Sequence, residues 1–309
     1  MENIRFIYYT NEKNVELCEL ALKHFFKHNK NENLKVTVLS NKFNNNDFKY
    51  KEKAEYLSSN IDFLDPIRFV ETMKFGLNQI KEDYVFLFLD DYFFLDEIKY
   101  DDLSRVINLM NCDGVDYFGF DLIPFGSPEF KLFKKFTSKC ENQFDGVLLE
   151  RPYEFQYLYS VQPCIWKKNS LIKLFERCEN ISLHDLDNTI ELIKKETKDF
   201  FGLGNTLYST FDYDNTFKHK ENYFIISYTE IVRHGVFNIP ENGMPVGPSQ
   251  PMVQFIYKLI EEENLNNNVN FGHLLNNFKY RNGLEINENT THYEIYENVL
   301  KNKKNNNED

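Results

Sequence analysis

Six apolar residues follow one another from 84 to 89, YVFLFL, and run directly into Asp90 and Asp91. A strand with one wet face alternates apolar and polar residues, so a run with no polar residue needs cover on both faces. Two further runs read as buried strands, IRFIYYT at 4–10 and LKVTVLS at 34–40. Between them, residues 11–28 place Val15, Cys18, Leu22, Phe25 and Phe26 at helical spacing. Residues 65–80 read as a second helix, with Asp65 as N-cap and Pro66 at the first helical position. The order β-α-β-α-β predicts an α/β fold: a Rossmann-like, open, mostly parallel central sheet flanked by helices. In such sheets ligands sit beyond the carboxyl ends of the strands. Asp90 and Asp91 stand at one of those ends.

The rest of the chain is less periodic. Residues 41–62 read as a polar loop with one short helix, 101–111 as a helix and 115–122 as a strand. A strand is expected at 154–162, helices at 168–178 and 186–200, and a late strand at 223–233. The segment 238–251 is a Pro/Gly-rich loop whose Gly243 and Gly247 suit the hinges of a lid. Residues 252–265 read as a helix and 301–309 as a frayed tail. The expected organisation is one domain over 1–251, a helical C-terminal extension over 252–300 and a disordered tail at 301–309.

Composition narrows the function classes. A chain of 309 residues with 42% apolar and 27% charged residues is in the range of a soluble globular protein. Its net charge of −12 repels phosphate backbones and argues against nucleic acid as a partner. The most basic stretch, KLFKKFTSK at 131–139, reads as an amphipathic surface segment. Five cysteines, an odd number with no C-x-x-C, argue against a disulfide framework or a zinc knuckle and fit a reducing compartment. The N-terminus has no signal-peptide core, and no apolar run approaches the roughly 20 residues that span a bilayer. A cytoplasmic protein without a transmembrane segment is expected.

A hydrophobic strand ending in two acids has several meanings. A Walker B strand needs G-x-x-x-x-G-K-[ST] upstream, and the chain has none. Aspartyl-phosphate phosphatases need acids two apart, and Tyr92 follows Asp91. GLGN at 202–205 is not a dinucleotide fingerprint. A plain reading remains, in which one acid caps the following turn. Adjacent carboxylates in a cleft repel, however, and call for a cation. A hard divalent ion satisfies them and leaves positions for phosphate oxygens. Metal, diphosphate and an open α/β sheet together describe a sugar-nucleotide site.

At this point the sequence resembles the GT-A glycosyltransferases, in particular small bacterial and viral enzymes with a DDY motif in place of D-x-D. The resemblance rests on three blocks in order: DYVFLFLDDYFF at 83–94, YSVQPCIWKKNSLIKLF at 159–175 and SYTEIVRHGVF at 227–237. Together they span about residues 1–240.

The resemblance implies a GT-A fold and sugar transfer from a UDP- or GDP-sugar to a glycan or other hydroxyl acceptor, with Mn²⁺ or Mg²⁺ on the diphosphate. Asp91 would be the main metal ligand, and Asp90 would hold the ribose or a metal-bound water. Thr10 would lie near the base, and Arg68 and Arg233 would offset diphosphate charge, a surface ion pair being the plain alternative for each. Gln162 and Trp166 would face the sugar or acceptor; a core Trp at a helix start is the other reading of Trp166. In SLHDLDNT, at 182–189, the family usually reads W-E-F-E. Asp187 stands at the acid expected to be the general base of an inverting transfer, His184 replaces the Trp, and Asp185 is a rival base. His234 interrupts the family's V-R-G and is a further candidate metal ligand.

Two other functions use the same architecture. A nucleotidyltransferase also employs paired acids and metals. It would show a Gly-rich basic loop after the first strand, where TNEKNVE has one Lys and no Gly. A non-catalytic sugar-binding module is the other, against which the intact Asp90, Asp91 and Asp187 argue.

Overall fold

The computed structural model describes residues 3–31, 33–42, 48–62, 68–94, 97–120, 137, 139, 163–178, 258–265 and 284–285. It also describes the backbone of the strands at 134–135, 147–150, 205–210, 228–230, 232–233, 236–237 and 280–281. In chain order the elements are β1 (Ile4–Thr10), α1 (Val15–His28), β2 (Val36–Ser40), β3 (Ala54–Ser58), α2 (Arg68–Leu77), β4 (Tyr84–Leu89) and β5 (Tyr92–Phe94). There follow α3 (Tyr100–Cys112), β6 (Val115–Gly119), β7 (Lys134–Lys135), β8 (Val147–Glu150), β9 (Cys164–Lys167), α4 (Lys168–Arg177) and β10 (Asn205–Thr210). The chain continues with β11 (Tyr228–Glu230), β12 (Val232–Arg233), β13 (Val236–Phe237), β14 (Tyr280–Arg281) and β15 (Leu284–Glu285).

The chain divides into two units. The first comprises Met1–Asp90 and Glu97–Ile226, the second Asp91–Asp96 and Ser227–Asp309. Among the described residues the first unit is built on an open sheet of order β3-β2-β1-β4-β9-β6-β10-β8-β7. Strands β3, β2, β1 and β4 are mutually parallel, and β6 and β10 are parallel to each other. Only β9 and β8 run against the common direction. The expected α/β class, with its mostly parallel sheet flanked by helices, is what the structure shows.

Continuous burial of β1 and β4 follows from side chains alternating between two covered faces. On one face Phe6, Tyr8, Phe86, Phe88 and Phe120 stack under Phe25 of α1, with the Phe86 and Phe88 centroids 4.4 Å apart. On the other, Ile7, Tyr9, Val85 and Leu87 pack with Phe69, Met73 and Leu77 of α2 and Leu171, Leu174 and Phe175 of α4. Helix α2 comes so near the sheet that a Cβ on Gly76 would run into the Leu39 side chain. Trp166 lies between β4 and β6, opposite Val85 and Tyr117, and is fully buried.

Three local readings change. Residues 54–58, expected in a loop, form β3 through five register pairs to β2, Val36↔Ala54 to Ser40↔Ser58. The sequence hides it because only Ala54 of the five is buried: an edge strand held by its ladder needs no apolar run. Helix α1 begins at Val15 rather than at residue 11, because Asn14 N–H closes a turn onto Asn11 O at 2.9 Å. Cys164–Lys167 is a strand, not a helix start. The proposed cap at 65–66, the strand at 154–162, the helix at 186–200, the loop at 238–251 and the tail lie outside the described residues.

In the second unit β5 pairs antiparallel with β11, Tyr228↔Phe94 to Glu230↔Tyr92, and two short hairpins pair β12 with β13 and β14 with β15. Residues 258–262 are helical, within the helix expected at 252–265. Among the described residues no helix is long and apolar enough to cross a membrane.

At the amino edge of the sheet, Glu82 is buried at 3% side-chain exposure between Arg5 Nε, 3.1 Å away, and Lys35 Nζ, 2.7 Å away. Burial opposes its charge, but the hydrogen bonds from Lys35 and Arg5 outweigh it and hold the carboxyl down at about 2. A carboxyl depressed on folding stabilises above its unfolded pKa and loses that contribution as pH falls through the folded value. Glu82→Gln should therefore cost on the order of 2 kcal/mol at pH 7. That is less than the ~3–5 kcal/mol of a fully buried pair, because Lys35 stays half in water. Urea melts of the two proteins should converge between pH 4.5 and pH 2.

Candidate active site at the carboxyl edge

Strands β2 and β3 lie on one side of β1 and β4 on the other. The chain thus reverses its direction of travel across the sheet between β1 and β4, which is where open α/β sheets bind ligands. The parallel ladder runs to Tyr9↔Leu89 and delivers Thr10 and Asp90 side by side at that point.

Asp90 is only 8% exposed. Thr10 Oγ1 donates to its Oδ2 at 2.7 Å, and the Asn14 side chain and a backbone N–H also bond to it. Burial still dominates and pushes the carboxyl up to about 6. Neutral donors soften the loss of water; they do not replace a countercharge. Asn14 is the N-cap residue of α1, yet its side chain makes no capping bond. A cap is worth about 1 kcal/mol to a helix, and here that group is turned to Asp90.

Tyr9 and Arg68 extend the cluster. The Tyr9 ring packs edge-on against Phe69 with centroids 4.6 Å apart. Burial raises its hydroxyl pKa, the Arg68 charge opposes the shift, and Asp90 adds to it. Arg68, the first residue of α2, is half-buried. Below Asp90, the fully buried Cys18 thiol is pushed up by burial and then by the charge of Asp90.

Thr10, Asp90 and Arg68 are therefore brought to one edge of the first unit. Asp91, half-buried, opens the Asp91–Asp96 segment of the second. Arg233 lies in β12 opposite Val236. Gln162, Asp185, Asp187 and His234 lie outside the described residues. Trp166 is corrected to a core residue. Its exposure is 0%, and its ring meets Tyr117 at a centroid distance of 4.8 Å, so no face is presented to a sugar. A four-residue strand between two longer ones leaves almost no sequence signal, which is why a helix start looked plausible.

Asn14 was missed: it stands four residues past the end of β1 and carries no charge, so no local pattern marks it.

The donor set suits a hard divalent cation of a particular kind. Among the described residues no three His, Cys, Asp or Glu side chains gather into a cage. One or two carboxylates at a cleft edge, with coordination completed by substrate phosphates, is the Mg²⁺-type arrangement. Asp90 fits one place in it, since a buried carboxyl held up near 6 is one that a cation would relieve.

No protein-family model and no curated protein matches the sequence. Among solved structures the chain is similar to S. aureus TarS 1–349, at 14% identity and TM-score 0.41, over 68% of this chain and 58% of that one. It is similar to the mannosyltransferase PcManGT of Pyrobaculum calidifontis in complex with GDP-Man and Mn²⁺, at 10% identity and TM-score 0.39, over 68% of this chain and 54% of that one. A cytidylyltransferase of Leptospira borgpetersenii aligns at 10% identity and TM-score 0.40, over 98% of this chain and 95% of that one. The chain thus spans little more than half the length of TarS 1–349. With likenesses this distant, the functional reading rests on the residues.

A carboxyl raised on folding adds stability below its unfolded pKa and loses it as pH rises through the folded value. Asp90→Asn should therefore be more stable than the parent at pH 7, by about 1–3 kcal/mol for a rise of roughly two units. The gap should open between pH 3.8 and about 6 in denaturant melts, and Mn²⁺ should narrow it by stabilising the parent alone.

Proposed function

We propose that the chain is a metal-dependent glycosyltransferase, moving a sugar from a nucleotide-diphosphate sugar to a hydroxyl acceptor with inversion. The observation that carries this reading is the buried Asp90 carboxylate, bonded to Thr10 at the switch point between β1 and β4. The three motif blocks support it from the sequence side. Thr10 and Asp90 take the nucleoside end of the donor, and Arg68 and Arg233 offset its diphosphate. Asp91 and Asp90, with His234 as a further ligand, would hold Mn²⁺ or Mg²⁺, which would supply Lewis acidity to the leaving diphosphate. Gln162 lines the acceptor side. As the acceptor oxygen attacks the anomeric carbon, the bond to the diphosphate breaks and Asp187 takes the hydroxyl proton. Glycan biosynthesis in the cytoplasm is the setting that this chemistry and the free thiols suit.

In a thermal-shift series, UDP- or GDP-sugars with Mn²⁺ should raise the melting temperature, and Asp91→Asn should abolish the metal-dependent part. An Asp91→Asn protein with unchanged metal dependence would move the site elsewhere. Pyrophosphate release from a nucleoside triphosphate and a sugar phosphate would replace this reading with a nucleotidyltransferase.

Asp187→Asn should keep donor affinity and lose transfer by roughly 10²–10⁴-fold. Near-parental transfer, or a product that retains the donor's anomeric configuration by NMR, removes Asp187 from that role.

A further inference from the structure

Asn41, immediately after β2, is 0% exposed, and both ends of its amide are engaged. Glu12 N–H donates to its Oδ1 at 3.0 Å, and its Nδ2 donates to Ile61 O at 3.0 Å. Its backbone carbonyl accepts from Ser58 Oγ at 3.3 Å and Ser59 Oγ at 3.4 Å. Ser59 in turn shares a 2.6 Å hydrogen bond with Thr72 of α2. One buried amide thus ties the chain leaving β1 to the chain leaving β3.

Residues 11–14 need that tie. Their own closure is local, the turn bond from Asn14 N–H to Asn11 O at 2.9 Å and the bond from Lys13 N–H to Asn11 Oδ1 at 3.0 Å, and neither joins the turn to another strand end; the Asn14 side chain, turned to Asp90, does not cap α1. A buried amide is costly unless both ends are bonded. A Leu at 41 would bond neither partner, and an Asp would set a carboxylate against the Ile61 carbonyl.

We propose that Asn41 is a positioning residue of the nucleotide site: it clamps the turn between β1 and α1 so that Asn14 is held on Asp90. This rests on the reading of the carboxyl edge as a nucleotide site. Asn41 acts through the turn, its amide oxygen accepting from Glu12 N–H and its amide nitrogen donating to Ile61 O.

The test joins amide hydrogen exchange to calorimetry with UDP and GDP, each with Mn²⁺, on the full chain. Asn41→Leu should speed exchange at residues 11–14 while β1 and β4 stay protected, and nucleotide affinity should fall about 10–100-fold, as for other residues that orient a ligand-bearing group. Asn41→Asp keeps the Glu12 bond and should fall between the parent and Asn41→Leu in both measurements. Faster exchange at 11–14 with unchanged affinity overturns the proposal. So does an affinity loss that comes only with loss of protection throughout β1 and β4, which is a general folding defect. A parent protein that binds neither nucleotide defeats the functional reading instead, and exchange at 11–14 then decides the clamp alone.

Discussion

The Asp90 carboxylate is out of water at the end of a strand covered on both faces, and its surroundings are answers to that cost. Thr10 comes from the neighbouring strand because the parallel register carries it there. Asn14 gives up a helix cap to reach the same carboxylate. Neither brings a charge, so the carboxyl is held well above its ordinary range. A group left in this condition is stabilised by whatever cation arrives.

The opposite edge of the same sheet shows what a carboxylate looks like when the fold itself resolves the cost. Glu82 is also little exposed, though less deeply set than Asp90, and Arg5 and Lys35 contact it directly, so its pKa moves down rather than up. The Arg5 guanidinium also reaches Thr37 and Glu55, which binds β1, β2 and β3 into one ionic network. The amino edge is internally neutralised and the carboxyl edge is not. Strained titration of this second kind is what functional sites tend to show.

Between the edges, the two faces of the sheet divide the packing. The aromatic stack under α1 and the mixed core under α2 and α4 hold β1 and β4 rigid on both sides, so the positions of Thr10 and Asp90 follow from the backbone ladder. The polar residues beyond the strand ends, Asn41 and Ser59 among them, complete the edge through hydrogen bonds between crossovers.

The parallel strands, the helices between them and the acids at the end of β4 were all legible in the sequence, because each rests on a local pattern: an unbroken apolar run, a 3.6-residue spacing, a charge after a buried segment. Three features had no such pattern. Edge strand β3 is held by its ladder rather than by apolar burial. Trp166 sits in a four-residue strand that could as well have opened a helix. Asn14 and Asn41 are ordinary polar residues until the chain brings their partners, about 76 and 29 positions away, within hydrogen-bonding distance. The chain alone therefore determined which segments are buried and where charge leaves the core, since burial periodicity is a property of neighbours in sequence. Which groups answer that charge was decided by the tertiary structure, because hydrogen bonds and ion pairs depend on distances in space that sequence separation does not encode.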